Sequence, residues 1–500
     1  MKLQSIKYIF LAITFSSYFT SCDVERLPYN VIDKPLAFSS VDDASYWSNV
    51  LYAQIRSRTY GEYMFSTDVQ ADQLNASSDF GNRNGSPHRW DFTSDDYTLS
   101  AVWSGYYEGI DNVNLMLEGF QEIKPANEAE TKRMTVYTGE AHLARAYYYF
   151  NLVTRFAKIY DPATAATDLG VPIVVKHDMN NKPARSTIKE VYDLILKDIE
   201  TAKTNLATVN GARQANRFTI DAVRALEARV KLYMQDWPGA RTAAEVLITG
   251  GKYPLYSTEI GIKNMWHRDE GAEDIFSPTI VKPTELPPTN GLYLNYDISY
   301  NTYSPDFIPS KWVIDEFEDT DFRKKTYFIT PLVYLAGRDF QNITIVNKYP
   351  GNPVYFTAVA TNYVNKQKIF RIAEMYLIAA EAGFREGGAQ LTTAVGHLNA
   401  LRVARGLTSL DPTISGQVLF NEIKKERFRE LAFEGFRLDD LRRWKEGFTR
   451  RAPQSTLVLT NSPAANYSEK SVAATDNKFV WGIPTRDETV NPQIKQNPGW

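Results

Sequence analysis

A chain of 500 residues with a formal net charge of −3 is long enough for a large buried core and carries no basic surplus, which argues against nucleic acid as a partner. Its single cysteine excludes a disulfide framework within the chain. Thirty tyrosines and nine tryptophans exceed what a core alone calls for, and a surface that must grip a polar ligand can use the surplus.

The N-terminus reads as a signal peptide over residues 1–21. Lys2 and Lys7 give it a basic start, an apolar stretch without acids follows over 9–19, and the small pair Thr20 and Ser21 leads to Cys22. The stretch is short of the roughly 20 residues a spanning helix needs. A thiol at this point is the expected site of lipid attachment, and acyl chains at about 0.8 kcal/mol per buried methylene make such an anchor durable. Phe19 stands where Leu is usual, three positions before Cys22. Loss of the leader removes two lysines and no acids, so the mature chain is more negative. Residues 22–40, with Pro28, Pro35, Ser39 and Ser40, read as a lipidated, extended tether leading to a domain over 41–500.

Helices are predicted over 42–58 and 94–120, separated by a polar, glycine-bearing loop over 67–93. From 140 to 158, Leu143, Ala146, Tyr147, Phe150, Val153 and Ala157 recur every three or four residues, the stripe of an amphipathic helix. Ser186, Thr187 and Glu190 start another in capping-box style, running to about 206. In 219–249, Ala228 and Ala240 stand across the turn formed by Asp236, Trp237, Pro238 and Gly239, a spacing that resembles a tetratricopeptide repeat. Further pairs fall at 370–385 with 389–405, and 417–434 with 436–446. The expected fold is therefore mainly α, a tetratricopeptide-like scaffold of about four helix pairs over about 140–250 and 370–446. A loop-rich, partly β insertion over about 255–368 interrupts it, marked by Pro287, Pro288, Pro305, Pro309, Pro350 and Pro353 and by short β-like runs such as 343–346.

Several stretches together resemble the SusD/RagB family of nutrient-uptake lipoproteins of the Bacteroidetes. They are EAHLARAYYYFNLV from Glu140, LGVPIV from Leu169, RFTIDAVRALEARVKLY from Arg217, FRIAEMYLIAAEA from Phe370 and HLNALRVARG from His397. The most specific come last, ERFRELAFEGFRLDDLRRW from Glu426 and NPQIKQNPGW from Asn491. Asp23 and Glu25, directly after Cys22, resemble the signal that sends such lipoproteins to the outer face of the outer membrane. The resemblance implies a surface-exposed partner of a SusC-like TonB-dependent barrel. Its usual cargo is an oligosaccharide or polysaccharide, the RagB branch takes peptides, and neither implies a cofactor; a repeat scaffold without a ligand of its own is the remaining alternative.

Most charged motifs have a structural reading. Glu422, Glu426, Glu430 and Glu434 share a helical face beside Arg427, Arg429 and Arg437, which is more simply an ion-pair network than acid–base machinery. Glu374 and Glu381, in a helix otherwise apolar all round, should meet arginines or backbone ends within the stack. Asn497, Pro498 and Gly499 punctuate a turn that Trp500 packs down. The five histidines show no four-residue spacing, and neither a nucleophile elbow nor a phosphate loop is present, so no catalytic residue and no metal ligand is assigned.

A sugar-binding surface needs exposed aromatic platforms beside amide and carboxylate hydrogen-bonders. Two segments fit. The first holds Asp72, Gln73, Asn75, Arg83 and Trp90; the second holds Tyr293, Tyr296, Tyr300 and Tyr303 with Asn295 and Asp297. Trp103, Trp312 and Trp444 are assigned to the core.

Overall fold

The computed structural model describes residues 37–178, 180–459 and 470–500. The leader and Cys22 lie outside these. Among the described residues no helix is long and apolar enough to cross a membrane.

Ten helices carry the scaffold. They are α1 (Val41–Ser57), α2 (Tyr97–Glu122), α3 (Glu128–Phe156), α4 (Ile188–Asn205), α5 (Ile220–Tyr233), α6 (Trp237–Thr249), α7 (Ile372–Glu386), α8 (Gln390–Ala404), α9 (Gly416–Leu431) and α10 (Arg437–Trp444). Their starts are written locally. Ser40 with Asp43 and Thr187 with Glu190 form capping boxes at α1 and α4, while Asn127, Thr219 and Asp236 cap α3, α5 and α6 through their side chains. Expected starts and ends fall within a few residues of these bounds, except that α3 begins a dozen residues before the apolar stripe. Its first three turns are largely exposed and give no stripe to read.

Each helix from α2 to α8 packs on the next, and α9 lies against α7. Close approach depends on small residues. Ala228 and Ala240 are fully buried where α5 meets α6, and a Cβ on Gly109 would stand 2.7 Å from the Tyr148 ring across the α2–α3 contact. Contact between α6 and α7 is among the most extensive in the molecule although more than a hundred residues separate them in sequence. The chain thus leaves the stack after α6, builds the insertion and re-enters beside the point of departure. Two short strands, Asp274–Phe276 and Phe370–Arg371, pair antiparallel at that re-entry.

Glutamates in and just after α9 fasten the insertion to the stack. Glu430, fully buried, accepts from Arg405 at 2.9 and 3.0 Å, from Arg371 at 2.7 Å and from Arg323 of the insertion at 3.0 Å. Burial pushes its carboxyl up, but the three guanidiniums outweigh this and hold it well below the usual range. Glu426 takes Arg323 and Arg429 at 2.8 and 2.6 Å, and Glu434 takes Lys348 of the insertion at 2.8 Å. Glu374 and Glu381 meet Arg229 and Arg443, as expected of acids inside a helical stack.

Two expectations about the N-terminal part change. Phe38 is buried and stacks on Trp47 with ring centres 5.0 Å apart, so residues 37–40 belong to the packed domain and not to the tether. The supposed loop over 67–93 is mostly interior. It starts in the helix Glu62–Gln70, runs through strand β1 (Leu74–Ala76) and turns through the short helix Gly85–Arg89. Polar side chains there masked a buried path, because their partners are distant in sequence.

Candidate functional site

In the insertion, β2 (Tyr296–Asp297), β3 (Thr302–Tyr303), β4 (Phe307–Pro309), β5 (Val333–Leu335) and β6 (Arg338–Phe340) supply the framework. The order β6-β5-β3-β2 makes a four-stranded sheet, and β4 pairs antiparallel with β1, setting Leu74 opposite Pro309 and Ala76 opposite Phe307. That pairing joins the two segments singled out from the sequence. Arg83 strengthens the joint by closing both N–H arms on Asp306, with Nε at 2.6 Å from Oδ2. Asp79 adds a third tie, accepting the Ala336 amide at 2.9 Å.

Within this frame the expected site residues part company. Asp72 is buried and bidentate with Arg437 at 2.8 and 2.7 Å; against the upward push of burial, that guanidinium holds its carboxyl below the usual range. Asn75 is buried and accepts from Ser310 at 2.8 Å, and Gln73 is buried beside it. Trp90 is only 5% exposed. Its indole N–H donates to the Gln70 carbonyl at 2.8 Å, and its ring meets Phe479 and Phe448 edge-on at 4.9 and 5.7 Å. Tyr293 is 1% exposed and lies among Tyr349 and Phe433. The expectation of exposed ligand-facing groups is therefore corrected at Asp72, Asn75, Trp90 and Tyr293, which spend their polar or aromatic surface on the interior.

Three remain at the surface. The Arg83 side chain is 56% exposed although paired with Asp306, whose carboxyl burial pushes up while Arg83 pulls it down. Tyr300 is 78% exposed at the tip of the β2–β3 hairpin, where the Asp297 carboxylate accepts the Ser299 and Tyr300 amides at 2.8 and 3.3 Å and shapes the turn. Tyr296 is half-buried, leaning on Tyr303 at 4.9 Å and donating its hydroxyl to Asn301 at 2.9 Å. Tyr97 and Tyr334, not anticipated, are also exposed near this region. Tyr97 accepts the Asn84 amide next to Arg83, and Tyr334 sits on β5, where its carbonyl accepts from Ser304. Tyr334 carries a signal in hindsight, since it alternates with the buried Val333 and Leu335 on a strand. At Tyr97, Tyr300 and Tyr334 aromatic rings reach solvent.

Elsewhere, Trp103 is buried as expected, whereas Trp312 and Trp444 are only partly covered, a second correction. The C-terminal turn does close on the body. Asn497 donates to the Phe156 and Trp481 carbonyls at 2.9 and 2.8 Å, and Trp500 donates to Val480 at 3.0 Å with its ring edge-on to Phe92. Among the described residues no group of three or more His, Cys, Asp and Glu is placed to hold a metal ion.

A tetratricopeptide-like helical stack that carries an irregular, tyrosine-faced insertion defines the class. The comparisons with known proteins then name the family. Residues 342–500 match the model described as SusD family, and residues 43–232 match one described as starch-binding, associating with the outer membrane. The chain belongs to the SusD family. It is 24% identical to a SusD-like protein of Formosa agariphila over 99% of both chains, and 34% identical to the starch-binding protein SusD of Bacteroides thetaiotaomicron over 26% of this chain and 21% of that one. Among solved structures, a SusD superfamily protein of Bacteroides thetaiotaomicron aligns with TM-score 0.77 and 25% identity, covering 92% of this chain and 100% of that one. A laminarin-binding SusD-like protein shares the fold with TM-score 0.68 at 21% identity, covering 93% and 100%.

Proposed function

We propose that the chain is a non-catalytic receptor for a nutrient glycan, captured on the surface where Arg83 and the Tyr296–Tyr300 hairpin converge. The observation that supports this reading is the pairing of β1 with β4, which ties the stretch that carries the half-exposed Arg83 to the insertion that carries Asn301 and the exposed Tyr300. Sugars offer a C–H face to an aromatic ring and hydroxyls to amide and charged groups, and this face supplies both. The relatives named as starch-binding and laminarin-binding agree with it. In this reading residues 37–500 act as one SusD-like unit and lipid on Cys22 holds it to the outer membrane. The bound glycan passes to a SusC-like TonB-dependent barrel.

Calorimetry of the full chain against starch, laminarin and other neutral polysaccharides, with a peptide mixture alongside, tests the cargo. A neutral glycan should bind, and Tyr300→Ala should weaken it about tenfold or more. Binding confined to peptides would sink the glycan assignment, and unchanged affinity in the variant would remove the hairpin from the site. Cys22→Ala should move the chain from the membrane fraction to the soluble one without altering glycan affinity. Co-purification of the barrel with the tagged protein tests the partnership.

A further inference from the structure

A cleft of about 710 Å³ opens in the helical stack between the C-terminal end of α2, the middle of α3 and α4, with Val175 and Lys176 completing its lining. A void of this size is far larger than those a packed interior leaves. Part of its wall is apolar. Leu117 and Leu194 are only partly covered, and Val175 is 46% exposed.

The buried charges of the cleft are matched within the stack, while two at its surface are not. Asp198 is buried and accepts two N–H groups of Arg145 at 2.8 Å, and His142 Nδ1 lies 2.6 Å from the same carboxylate. Lys176 and Lys197 are exposed, and among the described residues neither ammonium makes an ion pair or a hydrogen bond. Two unmatched ammoniums beside partly bare leucines and a valine call for an occupant that is acidic and apolar at once.

The same chain supplies such a segment. The described residues begin at Ala37, whose carbonyl accepts from the Trp47 indole at 2.9 Å. Phe38 stands edge-on to Phe120 with ring centres 6.2 Å apart, and it lies so close over α2 that a Cβ on Gly119 would run into its ring. Phe120 and Gln121 in turn line the cleft, so the chain enters the domain beside the cleft's own wall. Residues 22–36 lie just before that point and carry Asp23, Glu25 and Asp33 against Arg26 and Lys34, interleaved with Val24, Leu27, Val31, Ile32 and Leu36. Their reach of up to roughly 50 Å is ample for a cleft of this volume. Glu118 shares the lining, so a small anion would face a carboxylate and leave the aliphatic wall bare, whereas this segment brings cations and aliphatic side chains as well.

We propose that residues 23–36 dock in the cleft between α2, α3 and α4, with their acids on Lys176 and Lys197. The docking uses none of the residues assigned to the glycan and stands apart from that reading. With lipid on Cys22, it draws the domain toward the membrane, and release lets the domain move out by up to roughly 50 Å.

Hydrogen exchange on the full chain purified in detergent tests this, with a synthetic peptide of residues 23–36 as the reference for free exchange. Amides within 24–36 should exchange about tenfold or more slowly in the protein than in the peptide. Lys176→Glu combined with Lys197→Glu should bring them to the peptide's rate, while thermal melts match the parent because both side chains are exposed. Adding Asp23→Lys, Glu25→Lys and Asp33→Lys to that variant should restore the protection. The proposal is overturned if these amides exchange at the peptide's rate in the parent protein, if the lysine reversal leaves them protected, or if they are protected only when a barrel protein co-purifies. Glycan affinity should stay unchanged in every variant, so the docking and the hairpin site fail independently.

Discussion

The helical stack and the insertion obey different rules. In the stack, the helices from α1 to α6 start at capping side chains, so Thr187, Glu190, Thr219 and Asp236 do locally what the fold requires. In the insertion, two- and three-residue strands have little local preference, and order comes from partners far away, such as Arg323 on Glu426 and Glu430, or Arg83 on Asp306. The stack teaches how far local chemistry reaches. The insertion shows that a polar residue's role is set by what it is folded against.

The sharpest way to break this contrast is at the acids that join the two regions. Glu430→Ala should cost about 5 kcal/mol, at the upper end for a buried ion pair, because it leaves three buried guanidiniums short of a counter-charge. Chemical denaturation should show it. If the insertion is held by this network, limited proteolysis should cut it within 255–368 before the helices. Equal susceptibility of both regions would mean that they fold as one unit.

Trp90→Ala should cost about 4 kcal/mol by opening a cavity beside Phe448 and Phe479. A loss of less than about 1 kcal/mol would show that the indole is not packed in solution and would return Trp90 to the list of ligand groups.

Asp68 and Asp274 give the buried face of this region a pH dependence. Burial raises the Asp68 carboxyl to about 7, with the Gly435 amide opposing, and raises Asp274 to about 6. Both folded-state values lie above the ordinary carboxylate value, so the folded protein holds these protons more tightly than the unfolded chain, and stability falls as pH rises from about 4 to 7. Asp68→Asn should therefore gain roughly 1–2 kcal/mol at pH 8 and little at pH 4. Glu381 runs the other way. Arg443 overcomes the upward push of burial and holds it at about 2, so its contribution is present above about 4.5 and lost as pH falls toward 2. Equal gains for Asp68→Asn at both pH values would contradict this assignment.

Thr187→Ala should cost about 1 kcal/mol in thermal unfolding by removing the α4 cap, the expected scale for a signal that acts locally. Smallest of all, Tyr300→Ala should leave stability within about 0.5 kcal/mol while reducing glycan affinity. A stability loss like that of Trp90→Ala would show that the hairpin tip is structural and carries no ligand.

The candidate site was only half legible for the same reason. Arg83, Tyr296 and Tyr300 reach the surface, but nothing around Trp90 in the sequence reveals that Phe448 and Phe479 will enclose it, or that Gln70 will take its N–H. Conversely, Trp312 and Trp444 lie in stretches that look like core, and only the side-by-side placement of Lys311–Asp315, α9 and α10 leaves them at a cleft.

By itself the sequence determined the helical class, most helix starts and the pairing of adjacent helices, because caps, apolar stripes and small residues act over a few positions along the chain. It also carried the family stretches that the comparisons match at 43–232 and 342–500. Only the tertiary structure decided that α6 meets α7 across the insertion, that Asp72, Asn75, Trp90 and Tyr293 turn inward, and that Arg451 stands over Trp312. Burial and charge pairing depend on neighbours brought together from distant parts of the chain, and no local spacing records them.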